Sequence, residues 1–128
     1  MSTDTSATAG VTRIADTYLD AWNELDATRR ARLVETAWAA DGHYLDPLLE
    51  ATGHAAISDM ATAVHTQYPG HRFRRVSGVD VHHDRVRFAW ELAGPDGAPV
   101  VGGIDVGELA PDGRLRSITG FFGELPAA

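Results

Sequence analysis

Between Arg85 and Ala93 the chain alternates strictly. Val86, Phe88, Trp90 and Leu92 fall on one side, and Arg85, Arg87, Ala89 and Glu91 on the other, which is the period of a half-buried strand. Two Pro-Asp-Gly triplets, 95–97 and 111–113, then read as hairpin turns. They frame further strands over Val100–Leu109 and Arg114–Phe122. His71–Val81 reads as an earlier strand, with a turn at His83-Asp84. An antiparallel meander of this kind has one apolar side, and something else in the chain must cover it.

The cover lies in the first half. Ile14, Tyr18, Trp22 and Leu25 step at helical spacing over Val11–Leu25, with Thr12 as a candidate cap. Asn23–Asp26 reads as a break, and a second helix follows from about Thr28 to Trp38, with Leu33, Val34, Ala37 and Trp38 on one face. Asp41-Gly42 suggests a turn. Tyr44–Asp46 is a short strand stopped by Pro47, which lacks a ladder donor. Gly53 opens a third helix whose stripe is Ile57, Met60, Ala61, Val64 and Tyr68, ended by Pro69-Gly70. Helices followed by strands give an α+β class. The expected shape is a cone-like curved sheet wrapped against three helices, with a hollow between. Gly102, Gly103, Gly107 and Gly120 suit bends or bulges in such a sheet, or are plain packing glycines. No repeat or linker appears, so a single domain is expected over residues 11–125, behind a frayed, disordered tail from Met1 to Gly10.

With 128 residues and 44% apolar side chains, the chain can bury a core. It has no cysteine, which removes disulfides, thiolate nucleophiles and cysteine metal sites. That is compatible with a cytoplasmic location. A net charge of −7 opposes binding to nucleic acid or to an anionic membrane surface. No stretch has the length of a membrane span, and the N-terminus lacks the basic start and apolar run of a secretory signal. No phosphate-cradling loop is present. His82-His83 point to opposite faces of a strand, and His54, His65 and His71 have no partner at ligand spacing, so neither metal nor cofactor is expected.

Two carboxylates stand in apolar company. Asp46 lies between Tyr44-Leu45 and Pro47-Leu48-Leu49, and Asp105 lies within Val100-Val101-Gly102-Gly103-Ile104-Asp105-Val106. A half-buried strand aspartate must be paired, solvated or protonated. Asp105 is therefore either a neutral hydrogen-bond donor in an apolar pocket, an outward-facing edge residue, or an arginine's partner. Asp46 is either a pocket residue or a strand-end cap. Tyr18 is either a pocket donor or plain core.

The order Ile14-Ala15-Asp16-Thr17-Tyr18-Leu19-Asp20-Ala21-Trp22-Asn23, Tyr44-Leu45-Asp46-Pro47, Gly53, Val100–Asp105 and Phe121-Phe122-Gly123-Glu124 resembles the nuclear transport factor 2-like superfamily. That superfamily includes the SnoaL-like polyketide cyclases, and the chain looks most similar to its ketosteroid isomerases. The resemblance runs from about Val11 to Glu124. It implies that Asp46 removes a proton beside a ketone, and that Tyr18 and a protonated Asp105 stabilise the enolate. It implies a pocket wall of Trp22, Trp38, Met60, Phe88, Trp90, Ile118 and Phe122 around a small apolar carbonyl compound, steroid-like or polyketide-like. A SnoaL-like cyclase and a non-catalytic binding or dimerisation module are the alternatives. A homodimer through the outer sheet face, near Arg85, Arg87 and Glu91, is the family default. Ala61 stands where some of these isomerases carry a further tyrosine, and Gly103 stands in place of a proline. His83 and Arg87 have no counterpart in the isomerase scheme.

Overall fold

A computed structural model describes residues 5–128, with side-chain surroundings from residue 8 onward. Three helices, α1 (Thr5–Asn23), α2 (Ala27–Ala37) and α3 (His54–Gln67), accompany seven strands. The strands are β1 (Trp38–Leu45), β2 (Glu50–Thr52), β3 (Arg72–Arg75), β4 (Asp80–His82), β5 (Arg85–Ala93), β6 (Pro99–Leu109) and β7 (Leu115–Phe122). They form one curled, unclosed sheet in the order β2-β1-β7-β6-β5-β3, with β4 also on β5. The α+β expectation holds. Every pairing is antiparallel except β1 with β7, which is parallel.

Several boundaries differ from expectation, each for a local reason. Helix α1 starts at Thr5, earlier than the expected Val11, while Met1–Asp4 lie outside the described residues. Thr12 is inside the helix, where its hydroxyl bonds back to the Thr8 carbonyl at 2.9 Å. Asp26 caps α2 by accepting from the Arg29 N–H at 2.9 Å, the usual service of a short polar side chain. Trp38 is not helical; it opens β1. Asp41-Gly42 does not turn the chain but belongs to a strand whose register on β7 shifts between Trp38 and His43. The expected strand 71–81 is two strands, β3 and β4, with 76–79 between them. In β5–β7 the bulges fall at Leu92/Ala93 and Glu108/Leu109, not at Gly102, Gly103, Gly107 or Gly120. At Gly103 the constraint is crowding: a Cβ there would sit 2.1 Å from the Phe121 carbonyl oxygen.

The helices cover the concave face. Asn23, at the end of α1, pairs with β3 as a strand would: its amide nitrogen donates to the Phe73 carbonyl at 2.8 Å and its oxygen accepts from the Phe73 N–H at 2.7 Å. Arg75 on β3 reaches back to Asp16 at 2.8 Å. These two ties fix α1 across the sheet, with Tyr18 and Trp22 facing inward. Beneath them Trp38, Phe88, Val34, Leu115 and Ile118 pack almost free of solvent. Arg30 is buried too. Its guanidinium donates to the Glu24 carbonyl at 2.9 Å, to the Thr62 hydroxyl at 2.8 Å and to the Leu25 carbonyl at 3.3 Å. No helix among the described residues is long and apolar enough to cross a membrane.

Candidate active site

A cavity of about 550 Å³ lies between α1, α3 and the concave face of the sheet. That size suits a drug-sized ligand. Its wall is largely aromatic. Trp22 meets Phe73 with ring centroids 5.4 Å apart, Phe73 meets Trp90 at 5.8 Å, and Trp90 meets Phe122 at 5.7 Å. Leu19, Leu49, Val64, Leu92 and Val101 add aliphatic surface, and the exposed Leu48 and Val100 also border the cavity.

The polar groups gather where three strands run side by side. In register, Asp105 on β6 faces Gly120 on β7, and Leu45 on β1 pairs with Thr119, which brings Asp46 next to Gly120. Two strand spacings put the aspartate backbones roughly 10 Å apart, and both side chains lean over the glycine. A Cβ on Gly120 would come within 3.0 Å of Asp105 Oδ1, 3.3 Å of Asp46 Cβ and 3.5 Å of the Tyr44 hydroxyl. Without a side chain, Gly120 leaves these groups the room to converge over it.

Asp105 is 3% exposed. Of its alternatives, the outward-facing position and the arginine pair are both excluded. Its Oδ2 accepts the Tyr18 O–H at 2.7 Å and its Oδ1 accepts the Trp90 indole N–H at 3.0 Å. Burial pushes its pKa up to about 7, opposed by those two hydrogen bonds and assisted by the charge of Asp46. Burial, and then the Asp105 charge, hold the Tyr18 hydroxyl well above its ordinary value. Tyr18 is 2% exposed and is wedged edge-on between Trp38, at 5.8 Å, and Phe88, at 6.0 Å, which aims its hydroxyl.

Asp46 is both strand-end cap and cavity residue. Its Oδ1 accepts the backbone N–H groups of Leu48 and Leu49, each at 2.8 Å, which turns the chain from β1 into β2. Its Oδ2 accepts the Tyr44 O–H at 2.6 Å. Tyr44 is buried, and burial, then the Asp105 charge, then its bond to Asp46 keep it protonated far above neutral pH.

Of the expected wall, Trp22, Trp90 and Phe122 line the cavity. Trp38, Met60, Phe88 and Ile118 do not: they are packed beneath it, and Trp38 and Phe88 act on it through Tyr18. Ala61 is buried outside the wall. Neither His83, in an exposed turn at φ 52°, nor Arg87, paired with Asp80 at 2.7 Å, reaches it. Tyr44 and Phe73 were not foreseen. The signal for Tyr44 was its spacing, since residues two apart along a strand share a face and Tyr44 stands two before Asp46. Among the described residues, no lysine, arginine or histidine lines the cavity. No group of three or more histidines, aspartates or glutamates could hold a metal ion among the described residues.

Comparison with protein-family models gives no match, and comparison with curated protein sequences gives none either. Solved structures do match. A polyketide cyclase, so proposed, from Sinorhizobium meliloti is 18% identical, with a TM-score of 0.66 over 84% of this chain and 93% of that one. A proposed SnoaL-like polyketide cyclase from Jannaschia is 14% identical, with a TM-score of 0.73 over 95% of this chain and 91% of that one. At such identities the likeness is one of fold. A proposed isomerase of the SnoaL-like family from Agrobacterium tumefaciens is 41% identical, with a TM-score of 0.85 over 91% of this chain and 99% of that one. With that identity across almost its whole length, the chain belongs to the SnoaL-like family, on the nuclear transport factor 2-like fold.

Proposed function

We propose that the protein is an acid–base enzyme of the ketosteroid-isomerase type, moving a proton on a small apolar ketone through an enolate. The observation that carries this reading is the pair of aspartates flanking Gly120 at one corner of an aromatic cavity, one of them bound to Tyr18. In the proposed reaction the Asp46 carboxylate takes a proton from the carbon beside the ketone. Negative charge then develops on the ketone oxygen. Tyr18, backed by a protonated Asp105, meets it there, where a fixed donor in a dry site is worth most. Asp46 returns its proton at another carbon, so the double bond moves and no atom is lost.

The absence of cationic side chains from the wall favours an uncharged substrate over a carboxylate or phosphate. The name given to the Agrobacterium relative, an isomerase, agrees with the reading. A polyketide cyclase, as proposed for the Sinorhizobium and Jannaschia proteins, would use the same enolate if it closed its ring by an aldol step. A spectrophotometric assay with a β,γ-unsaturated ketone separates the two. Conjugation should appear with the native protein and vanish with Asp46→Asn. No turnover by the native protein, with a planar phenol still bound as an enolate mimic, would favour the cyclase.

Pairing of two copies through the outer sheet face belongs to the same proposal. Arg87 and Glu91 are engaged there within the chain, by Asp80 and Arg74. The surface left for a partner is Ile104, Val106 and Phe121, all exposed on that face.

A further inference from the structure

The two donors on Asp105 are not alike. The Trp90 indole can only donate. Its ring is held edge-on by Phe73 and Phe122, so its N–H stays aimed at Oδ1, 3.0 Å away. The Tyr18 hydroxyl, 2.7 Å from Oδ2, rotates about its C–O bond and can donate or accept. A carboxyl oxygen that carries a proton is the poorer acceptor. Keeping the indole bond therefore favours the carbonyl oxygen at Oδ1 and the O–H at Oδ2. With Oδ2 protonated, Tyr18 accepts from it, and its own hydrogen is free to turn into the cavity.

We propose that Trp90 directs the proton of Asp105 to Oδ2, reverses the Tyr18–Asp105 hydrogen bond, and so makes Tyr18 a donor to a ligand's carbonyl oxygen only while Asp105 is protonated. This rests on the reading that the cavity takes a carbonyl compound. As the side chains stand, the Tyr18 and Tyr44 hydroxyls both point at carboxylates and neither is left for a ketone. The titratable groups facing Asp105 are Tyr18 from α1 and Tyr44 and Asp46 from β1; β7 presents Gly120, and among the described residues no cationic side chain lines the cavity. Burial sets the Asp105 pKa at about 7, which puts the switch in a measurable range. Trp90 is thus a positioning residue acting through Asp105, in addition to forming wall.

The probe is 9-fluorenone, which accepts a hydrogen bond, cannot donate one and has no proton to lose beside its carbonyl. Its affinity should be constant at low pH and weaken about tenfold per pH unit above the edge, as linkage to one proton requires. Its bound carbonyl stretch should move to lower frequency at pH 5, and that shift should be lost in Tyr18→Phe. Replacing Trp90 with β-(3-benzothienyl)alanine keeps the ring shape and removes the N–H. The edge should then move to higher pH, because a donor to the ionised carboxylate is gone, and the carbonyl shift at pH 5 should weaken. Trp90→Phe, read the same way, serves if that protein does not fold. A native affinity independent of pH, or an edge that stays put when the N–H is removed, overturns the proposal. Failure to bind at any pH overturns it together with the carbonyl-ligand reading. Turnover is not read, so an inactive native enzyme with the expected binding edge would remove the isomerase reading alone.

Discussion

The Tyr18 hydroxyl lies 2.7 Å from Oδ2 of Asp105, although 87 positions separate the two residues in the chain. One comes from the first helix and the other from the sixth strand, and both are buried. In the proposed reaction this pair receives the negative charge. Tyr18→Phe removes one donor and leaves the ring wedged between Trp38 and Phe88. The expected loss is about 10²–10³ in kcat, measured on the β,γ-unsaturated ketone.

Asp105 also makes stability depend on pH. Its folded pKa is about 7, above the ordinary 3.8. Between those values the native protein holds a proton that the unfolded chain has released. The favourable share is fully present below the unfolded value and is lost as pH rises through the folded one. At roughly 1.4 kcal/mol per unit the swing is on the order of 4 kcal/mol. Urea denaturation should therefore show the native protein losing stability from about pH 4 to about pH 7 and levelling off above, and Asp105→Asn should lose much less.

Gly120→Ala puts a methyl group where Asp105, Asp46 and Tyr44 converge. The neighbours must give way by a few tenths of an ångström. Because sub-ångström misplacement of reacting groups is expensive, turnover should fall by on the order of tenfold while the melting temperature changes little. Unchanged kinetics would mean that the carboxylates need not be held this close.

Arg30 is a buried cation bonded only to carbonyl and hydroxyl oxygens. Arg30→Met strips two backbone carbonyls and the Thr62 hydroxyl of their donor, at a cost of roughly 1–3 kcal/mol for an abandoned buried group. Thermal unfolding should register the loss, and ligand affinity at a temperature where the variant is folded should not.

Phe121→Glu places a charge in the exposed apolar patch with Ile104 and Val106. Sedimentation should show the native protein as a pair of copies and the variant as single chains. A native protein that sediments as one chain contradicts the pairing.

What could be read in advance was whatever depends on near neighbours. The bounds of β5, the two Pro-Asp-Gly turns and the stripe of α3 follow from side-chain alternation, turn chemistry and helical period. The start of β1 did not, because Asp41-Gly42 has the composition of a turn, and here it falls in the register shift between Trp38 and His43, which both pair with β7. Strand β2 is three residues long, too short to show a period. At the site, Asp46, Tyr18 and Asp105 were identifiable as polar groups in apolar settings. The cavity wall was less so. An inward-facing aromatic looks the same in sequence whether it meets a cavity, as Trp90 does, or another side chain, as Phe88 does.

The parallel junction of β1 with β7 has a consequence for biosynthesis. A chain emerging from the ribosome can form its helices and the β5–β6 hairpin early. Asp46 acquires its neighbour Gly120 only when the last strand is released and threads in between β1 and β6. Until then the two aspartates have nothing to hold them together and the enclosed space does not exist. The two aspartates therefore come together only once β7 has joined the sheet, and a chain cut before residue 115 should lack that pairing, however much of its sheet has formed.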